Sequence, residues 1–261
     1  MEFHKVKFYT ENGVATISFN DPKTYNAIDD DMADELLQVL DVIEADETVK
    51  VILLKSELEK AFSSGGNLRA IKAGLDNNDL DLEGLAKKVG QIVHQLKKSS
   101  KAVIASVSGV AAGAGANIAL AADIIIASEE AYFYQAFVNL GLIPDTGGLY
   151  TLMKVMGPHK AMELAMTGRT FPVTEAHQLG IVSKVVPLEE LAEETAKLTK
   201  QLATGPSDAY AEMKRMVYKW FYSDFSDYCR EEAEVIGQLS HSENFTEGVN
   251  AFSEKRKPNF K

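Results

Sequence analysis

The run from Ala102 to Ala122 contains no charged side chain, and this feature constrains the fold most. The run is about as long as the roughly 20 apolar residues that cross a membrane. It consists mainly of Ala, Gly, Ser and Asn, which partition only weakly into lipid. We therefore expect a buried segment of a globular core, in which small residues allow close approach of the backbone.

The charge balance limits the partners of the chain. Its 261 residues include 38 acidic and 27 basic side chains, giving a formal net charge of −11. A surface of this sign argues against general binding of nucleic acid or anionic membranes, although a local basic pocket remains compatible with it. The length is typical of one large domain, or of a domain with an appendage.

Cysteine and histidine usage excludes further classes of protein. Cys229 is the single cysteine, so the chain has neither an intramolecular disulfide nor a cysteine-based zinc site. The five histidines are scattered singly, and we expect no metal site. The first residues, 1–10, contain no apolar signal segment, so we expect a cytoplasmic protein.

The apolar pattern predicts an α/β fold. A hairpin is expected over residues 5–20 around Asn12-Gly13, followed by a helix from about Asp29. Further segments alternate between strands and helices, with strands at 49–55, 102–107, 123–127 and 181–186, a helix at 82–98 and another near Gly113. This alternation indicates largely parallel strands. Beyond Glu189 the pattern predicts only helices.

Two glycine-rich loops each follow a predicted strand and lead into a predicted helix: residues 63–67 and residues 113–117. The first N–H groups of a helix lack intrahelical partners, and two such groups from separate loops can form an oxyanion hole. Tight packing of helix against strand explains the glycines equally well at this point. A dinucleotide site is not favoured, because Ile118 stands where its fingerprint needs a third glycine.

Several motifs together resemble the crotonase (enoyl-CoA hydratase/isomerase) superfamily over nearly the whole chain. The matching segments lie at residues 21–27, 60–68, 109–123, 141–148 and 251–258. The resemblance implies a spiral of ββα units over residues 1–200 that binds acyl-CoA. It also implies a C-terminal helical part over residues 201–261 that assembles homotrimers, often paired into hexamers.

The resemblance also implies a site for a coenzyme A thioester, which is the substrate, with no further cofactor. The thioester oxygen is expected against the backbone N–H groups of Gly66 and Ala114. The expected coenzyme A contacts are Lys23, Ala27, Ser64, Asn67 and Lys255. Lysines at these positions would let an acidic protein hold a polyphosphate through local charge.

The chain departs from the hydratases of that family at both acid–base positions. Where those enzymes carry two glutamates, this sequence has Asn117 and Phe137. Neither side chain exchanges protons near neutral pH. A carboxylate occurs instead at Asp145, where 3-enoyl-CoA isomerases and ring-epoxide isomerases of the family carry theirs. Asp145 could also be a turn residue after Pro144 or the N-cap of a helix beginning near Thr146.

Three functions therefore remain open. The first is an acyl-CoA isomerase that converts 3-enoyl-CoA to 2-enoyl-CoA or isomerises a ring-epoxide CoA thioester. In this enzyme Asp145 is the base, and Asn117 contacts the substrate or orients Asp145. The others are an atypical enoyl-CoA hydratase and a non-catalytic acyl-CoA-binding homologue. The aromatic and apolar residues Phe133, Tyr134, Phe137 and Leu140 are compatible with an acyl pocket or with core packing.

Overall fold

The amino-terminal hairpin is present as the sequence predicts. In the computed structural model, which describes residues 3–261, β1 (Val6–Glu11) pairs antiparallel with β2 (Val14–Phe19). The turn residues Asn12 and Gly13 have φ of 50° and 78°. Positive φ at both central residues is what a tight hairpin with the natural strand twist requires.

The first helix, α1 (Asp30–Ala45), begins where the acidic cluster predicts. Asp29 is its N-cap, and the Asp29 side chain accepts a hydrogen bond from Met32 N at 3.1 Å. Its apolar residues recur every three or four positions, so one face of the helix is buried.

The remaining elements follow in chain order. The strands are β3 (Val51–Ser56), β4 (Ala61–Ser63), β5 (Ala102–Val107), β6 (Val110–Ala112), β7 (Ile124–Ser128), β8 (Tyr132–Tyr134), β9 (Thr170–Pro172) and β10 (Lys184–Val186). The helices are α2 (Leu68–Asn77), α3 (Leu82–Lys98), α4 (Gly113–Ala119), α5 (Gly148–Met156), α6 (Pro158–Thr167), α7 (Val173–Gln178), α8 (Leu188–Ala203), α9 (Ser207–Phe221), α10 (Phe225–Leu239) and α11 (Glu243–Ser253). A short 3₁₀ helix spans Ala136–Leu140.

The larger sheet has six strands in the order β1-β2-β3-β5-β7-β10. From β2 onward every neighbouring pair is parallel, as the alternation of strands and helices predicts. Strand β5 lies inside this sheet and is buried along its whole length. The uncharged run is therefore part of the core, as expected.

The smaller sheet, β4-β6-β8-β9, differs from the sequence prediction. Residues 63–67 and 113–117 are expected to be loops, and the predicted strands before them end at residues 55 and 107. In the structure β4 ends at Ser63, β6 directly precedes Gly113, and residues 113–117 already belong to α4. Strands β8 and β9 have no predicted counterpart. Three residues are too few to show the alternation of apolar and polar residues that identifies a strand. The formation of these strands therefore depends on pairing with neighbouring strands. Together the two sheets form the ββα repeats expected from the family.

Two glycines of the uncharged run allow close contact between the units. A Cβ at Gly109 would lie 2.3 Å from the carbonyl oxygen of Lys60, and one at Gly115 would lie 2.2 Å from Ser63 Oγ. These distances are too short for any side chain. The small residues thus permit the segment around β6 and α4 to pack against the segment around β4.

After β10 the chain is helical to the end of α11. Helix α8 continues past the expected boundary at residue 200 and ends at Ala203, before Gly205-Pro206. Helix α10 packs against α3, and α11 packs against α2. Helix α9 has no buried residue and exposes Met213, Met216 and Trp220. No helix among residues 3–261 is long and apolar enough to cross a membrane.

Candidate active site

The two glycine-rich loops meet at one cavity of about 100 Å³. Gly65 has φ of 89°, and a Cβ there would lie 2.9 Å from the carbonyl oxygen of Ala112. A Cβ at Gly113 would lie 3.8 Å from Gly65 Cα. Gly65 is needed because its backbone lies against that of Ala112, and Gly113 because its φ of 47° is unfavourable for residues with a side chain.

Gly66 and Ala114 both line this cavity. Ala114 is the second residue of α4, where a helical N–H has no intrahelical acceptor. Gly66 N makes no hydrogen bond to an acceptor in residues 3–261, whereas its neighbours Gly65 and Asn67 bond to Ile28. Two free backbone donors at one cavity have the composition of an oxyanion hole.

Asp145 lies on the same cavity and is the one titratable side chain among its lining residues in the described chain. Helix α5 begins at Gly148 with Gly147 as N-cap and has no side-chain cap. The interpretation of Asp145 as an N-cap is therefore wrong. Its carbonyl oxygen accepts from Gly148 N at 2.9 Å, so the residue does open a turn.

The Asp145 carboxyl is poorly solvated. Its Oδ1 is buried and has no hydrogen-bond partner in the described residues. Burial raises the pKa of Asp145 to about 7. Phe137, which is 9% exposed, lines the same cavity and contributes an apolar wall. A carboxyl with such a pKa can accept and return a proton near neutral pH.

Asn117 lies behind this carboxyl. It is buried in α4, and its Nδ2 donates to the main-chain carbonyl of Asp145 at 2.8 Å. Its Oδ1 accepts from Gln135 Nε2 at 2.9 Å. Asn117 does not line the cavity. Of the two roles considered for it, the geometry favours orientation of the Asp145 turn over contact with a substrate.

The rest of the cavity is apolar and comes from helices α2, α3 and α10. Its walls include Ile71, Leu82, Ala86, Val89 and Ile236. No motif in the sequence marks these residues as part of the site. Their helical spacing indicates only a buried face, which is common in any core.

The four candidate acyl-pocket residues divide into two pairs. Phe137 and Leu140 line the cavity. Phe133 and Tyr134 do not, which favours core packing over a pocket for these two residues. Phe133 is fully buried and stacks on Phe171 at 5.5 Å between ring centroids, while the Tyr134 hydroxyl accepts from Asn139.

The five expected coenzyme A contacts do not all lie at the cavity. Ser64 lines the cavity and donates from Oγ to Thr24 O at 2.8 Å. Asn67 caps α2 instead, and Ala27 is buried. Lys23 and Lys255 are exposed and form no ion pair with residues 3–261.

Two other features of the described chain were compared with this cavity as possible sites. A larger open groove of about 1060 Å³ lies between α8 and the six-stranded sheet, but it contains neither glycine-rich loop. No cluster of three or more potential metal ligands occurs among the described residues. The cavity at the two glycine-rich loops is therefore the candidate active site.

Comparison with known proteins identifies the family of the chain. Residues 9–261 match the family model for enoyl-CoA hydratase/isomerase. The chain is 38% identical to a trans-2-decenoyl-[acyl-carrier-protein] isomerase of Streptococcus mutans, covering 100% of this chain and 99% of the relative. It is 36% identical to the 1,2-epoxyphenylacetyl-CoA isomerase of Escherichia coli, covering 100% and 98%.

Hydratases are also similar to this chain. A probable mitochondrial enoyl-CoA hydratase of Dictyostelium discoideum is 36% identical over 94% of this chain and 86% of the relative. The crystal structure of an enoyl-CoA hydratase from Mycobacterium avium subsp. paratuberculosis superposes with a TM-score of 0.90 at 27% identity, with both chains fully covered.

Fold and site thus define an enzyme of the crotonase superfamily. The chain belongs to the enoyl-CoA hydratase/isomerase family.

Proposed function

We propose that this enzyme shifts the double bond of an enoyl thioester between the 3- and 2-positions, with Asp145 as its single base. One observation carries the proposal: Asp145 is the one titratable group lining the cavity in residues 3–261, and that cavity also contains the backbone donors Gly66 and Ala114. A double-bond shift needs one proton acceptor that later becomes the donor.

The proposed reaction uses the same carboxyl twice. The Asp145 carboxylate takes a proton from C2 of the 3-enoyl thioester. The C–H electrons form a double bond between C1 and C2, and the π electrons of the carbonyl move to its oxygen. The N–H groups of Gly66 and Ala114 hold the resulting dienolate oxyanion. The protonated Asp145 then returns the proton to C4, the double bond forms between C2 and C3, and the carbonyl is restored.

Hydration is disfavoured by the same residues. Adding water requires a group that activates the water and a group that protonates the α-carbon. Asn117 and Phe137 supply neither, and Phe137 lines the cavity where water would enter. An apolar wall beside the base excludes water from the reactive dienolate.

The carrier of the acyl group is proposed to bind mainly outside the cavity. Lys23 and Lys255 are exposed and free of ion pairs in the described chain, so their charges remain available for phosphates. The similarity to an acyl-carrier-protein isomerase makes a protein-bound thioester a second form of the substrate. The similarity to an epoxyphenylacetyl-CoA isomerase makes ring-epoxide isomerisation the second candidate reaction.

A substrate panel tests the proposed reaction. Purified enzyme is assayed with 3-enoyl, 2-enoyl and ring-epoxide CoA thioesters and with 3-enoyl-acyl-carrier protein. We expect double-bond isomerisation to exceed hydration by orders of magnitude. Faster hydration of 2-enoyl-CoA would establish an atypical hydratase, and thioester binding without any turnover would establish a non-catalytic homologue.

The variant Asp145→Asn tests the base. It keeps the size of the side chain and removes the proton acceptor, so isomerisation should fall by about 10²–10⁴-fold. Asp76→Asn, at an exposed position of α2, is the matched control and should retain wild-type rates. Near wild-type isomerisation by Asp145→Asn would refute the assignment.

The proposal includes the oligomeric state. Residues 201–261 are proposed to assemble homotrimers, or hexamers made of two trimers, and the exposed face of α9 supports an interface there. Light scattering of the wild type measures the assembly directly. Trp220→Glu, at a residue 73% exposed in the single chain, should reduce the mass if α9 lies in the interface. A monomeric wild type would contradict this part.

A further inference from the structure

A second buried carboxyl lies behind the Asp145 turn. Glu232, on α10, is 4% exposed. Its Oε2 accepts a hydrogen bond from Gly147 N at 2.7 Å, and its Oε1 is buried with no partner in residues 3–261. A single N–H could be satisfied by a neutral amide or hydroxyl side chain. A carboxyl that is half unpaired in the core is costly and requires an explanation.

The turn that Glu232 contacts is conformationally demanding. Thr146 and Gly147 have φ of 56° and 70°, both in the left-handed region. This conformation is unfavourable for threonine, so the surroundings must hold it in place. Asn117 holds one end of the turn through the carbonyl of Asp145, and Glu232 holds the other end through Gly147 N.

We propose that Glu232 is a positioning residue for Asp145, which holds the turn carrying the base through Gly147 N and places a second carboxyl behind that base. The inference rests on the proposed function, because it presumes that Asp145 is the base.

The charges around Glu232 are consistent with this role. Burial and, to a smaller extent, the nearby Asp145 carboxyl raise its pKa to about 9, against the lowering effect of the hydrogen bond from Gly147 N. Asp145, with a pKa of about 7, therefore ionises first. Between these values the base is charged and Glu232 is neutral.

Other titratable groups also face this region. From α10 itself these are Tyr228 and Cys229; from α3 they are Glu83, Lys87, His94 and Lys97; and from α5 there is Tyr150. Tyr150 bonds to Asp224, Glu83 pairs with Lys87, and Lys97 bonds to Leu120 O. None of these groups forms an ion pair with Glu232 in the described chain, and Asp145 is the charge that acts on its pKa.

The variant Glu232→Gln separates the charge of this residue from its hydrogen bond. Glutamine can still accept from Gly147 N but cannot ionise. The wild-type kcat/KM for a 3-enoyl thioester should rise near pH 7 and fall near pH 9, where a second negative charge opposes the dienolate. At pH 10 a group with a pKa of 9 leaves about a tenth of the maximal rate. Glu232→Gln should keep the rise and lose the fall.

A second variant tests the hydrogen bond. Glu232→Leu fills the space but leaves Gly147 N without an acceptor. We expect kcat to fall at least tenfold while KM stays within about threefold, because a displaced base affects the chemical step more than binding. Glu231→Gln, its exposed neighbour on the same helix, is the control and should retain the wild-type pH profile.

Thermal unfolding gives a readout that does not need activity. The unfolded chain releases both protons at ordinary acidic pKa values, so the stability of the wild type should decrease as the pH rises from about 5 to about 9. In Glu232→Gln the decrease should end near pH 7. The Tm difference between pH 7 and pH 9 should therefore be smaller in the variant.

The outcomes distinguish the two proposals. If Asp145→Asn remains active, the proposed function fails, whatever Glu232 does. If Asp145→Asn is inactive and Glu232→Gln shows both the wild-type fall near pH 9 and the wild-type Tm decrease, the inference about Glu232 is overturned. If Glu232→Leu does not fold, the pH profile and Tm of Glu232→Gln decide.

Discussion

The Asn117 side chain joins the main-chain carbonyl of Asp145, at 2.8 Å, to the amide of Gln135, at 2.9 Å. All of these contacts are in the interior of the protein, where unsatisfied polar groups are costly. The sequence motifs predict that Asn117 stands where hydratases of the family carry a glutamate. Here the position fixes the backbone of the proposed base instead of supplying an acid.

Asn117→Ala should therefore affect both stability and turnover. Removing the side chain leaves the Gln135 amide without its acceptor, which costs about 1–3 kcal/mol of unfolding free energy. We expect kcat to fall at least tenfold as the Asp145 turn loosens. Chemical denaturation and steady-state kinetics measure the two effects. Asn139→Ala, at an exposed asparagine, should change neither, and an unaffected kcat in Asn117→Ala would contradict the orienting role.

The pH dependence of activity should follow the Asp145 carboxyl. Its pKa is raised to about 7 by burial, so the active carboxylate accumulates as the pH rises through 7 and is lost in acid. Phe137→Ala admits water to the cavity and should move the midpoint of kcat/KM to lower pH. Phe133→Leu, a core residue away from the cavity, should leave the midpoint unchanged. If the pH midpoint of kcat/KM is unshifted in Phe137→Ala, Phe137 does not control the solvation of the Asp145 carboxyl.

Acyl-chain length should be set by the wall that α3 contributes. Ala86→Leu fills space in a cavity of about 100 Å³. We expect kcat/KM to fall about 10–200-fold for the longer chains and much less for short ones, because displaced methylenes lose their contacts. Gln91→Leu adds the same side chain on the exposed face of the same helix and serves as control. Equal loss for all chain lengths would contradict a role in length selection.

Gly115 should tolerate no side chain. A Cβ there would lie 2.2 Å from Ser63 Oγ and 2.3 Å from Ser63 Cβ, so Gly115→Ala should lower the unfolding free energy by about 1–3 kcal/mol. Gly90→Ala is the contrasting variant, since the nearest atom to its Cβ would be Cys229 Cβ at 4.0 Å. In α3 this change should stabilise the protein by up to about 1 kcal/mol. Urea denaturation measures both, and equal stabilities would contradict the packing argument.

The long elements of the fold could be predicted because their signals are local. The α3 boundaries at Leu82 and Lys98 and the β5 boundaries at Ala102 and Val107 coincide with the predictions. The smaller sheet could not be predicted, because strands such as β8 (Tyr132–Tyr134) are too short to carry a period. Their pairing depends on contacts far apart in sequence.

The candidate site could be predicted only where a motif identified it. Gly66, Ala114 and Asp145 were expected together and line one cavity. Glu232 was not expected, because a glutamate in an amphipathic helix normally indicates a solvated face. Its burial follows from how α10 packs on α3 and the Asp145 turn, and no local pattern encodes that arrangement.

Helix α10 affects both the position of the proposed base and the shape of the cavity wall. Glu232 and Ile236 are four residues apart, so they lie on adjacent turns of one face, with the carboxyl behind the base and the isoleucine in the cavity wall. Shifting α10 outward to admit a bulkier acyl group would also withdraw the acceptor of Gly147 N. Diversification of substrate range within this lineage should therefore accumulate substitutions on α3 and α2, with α10 held under purifying selection.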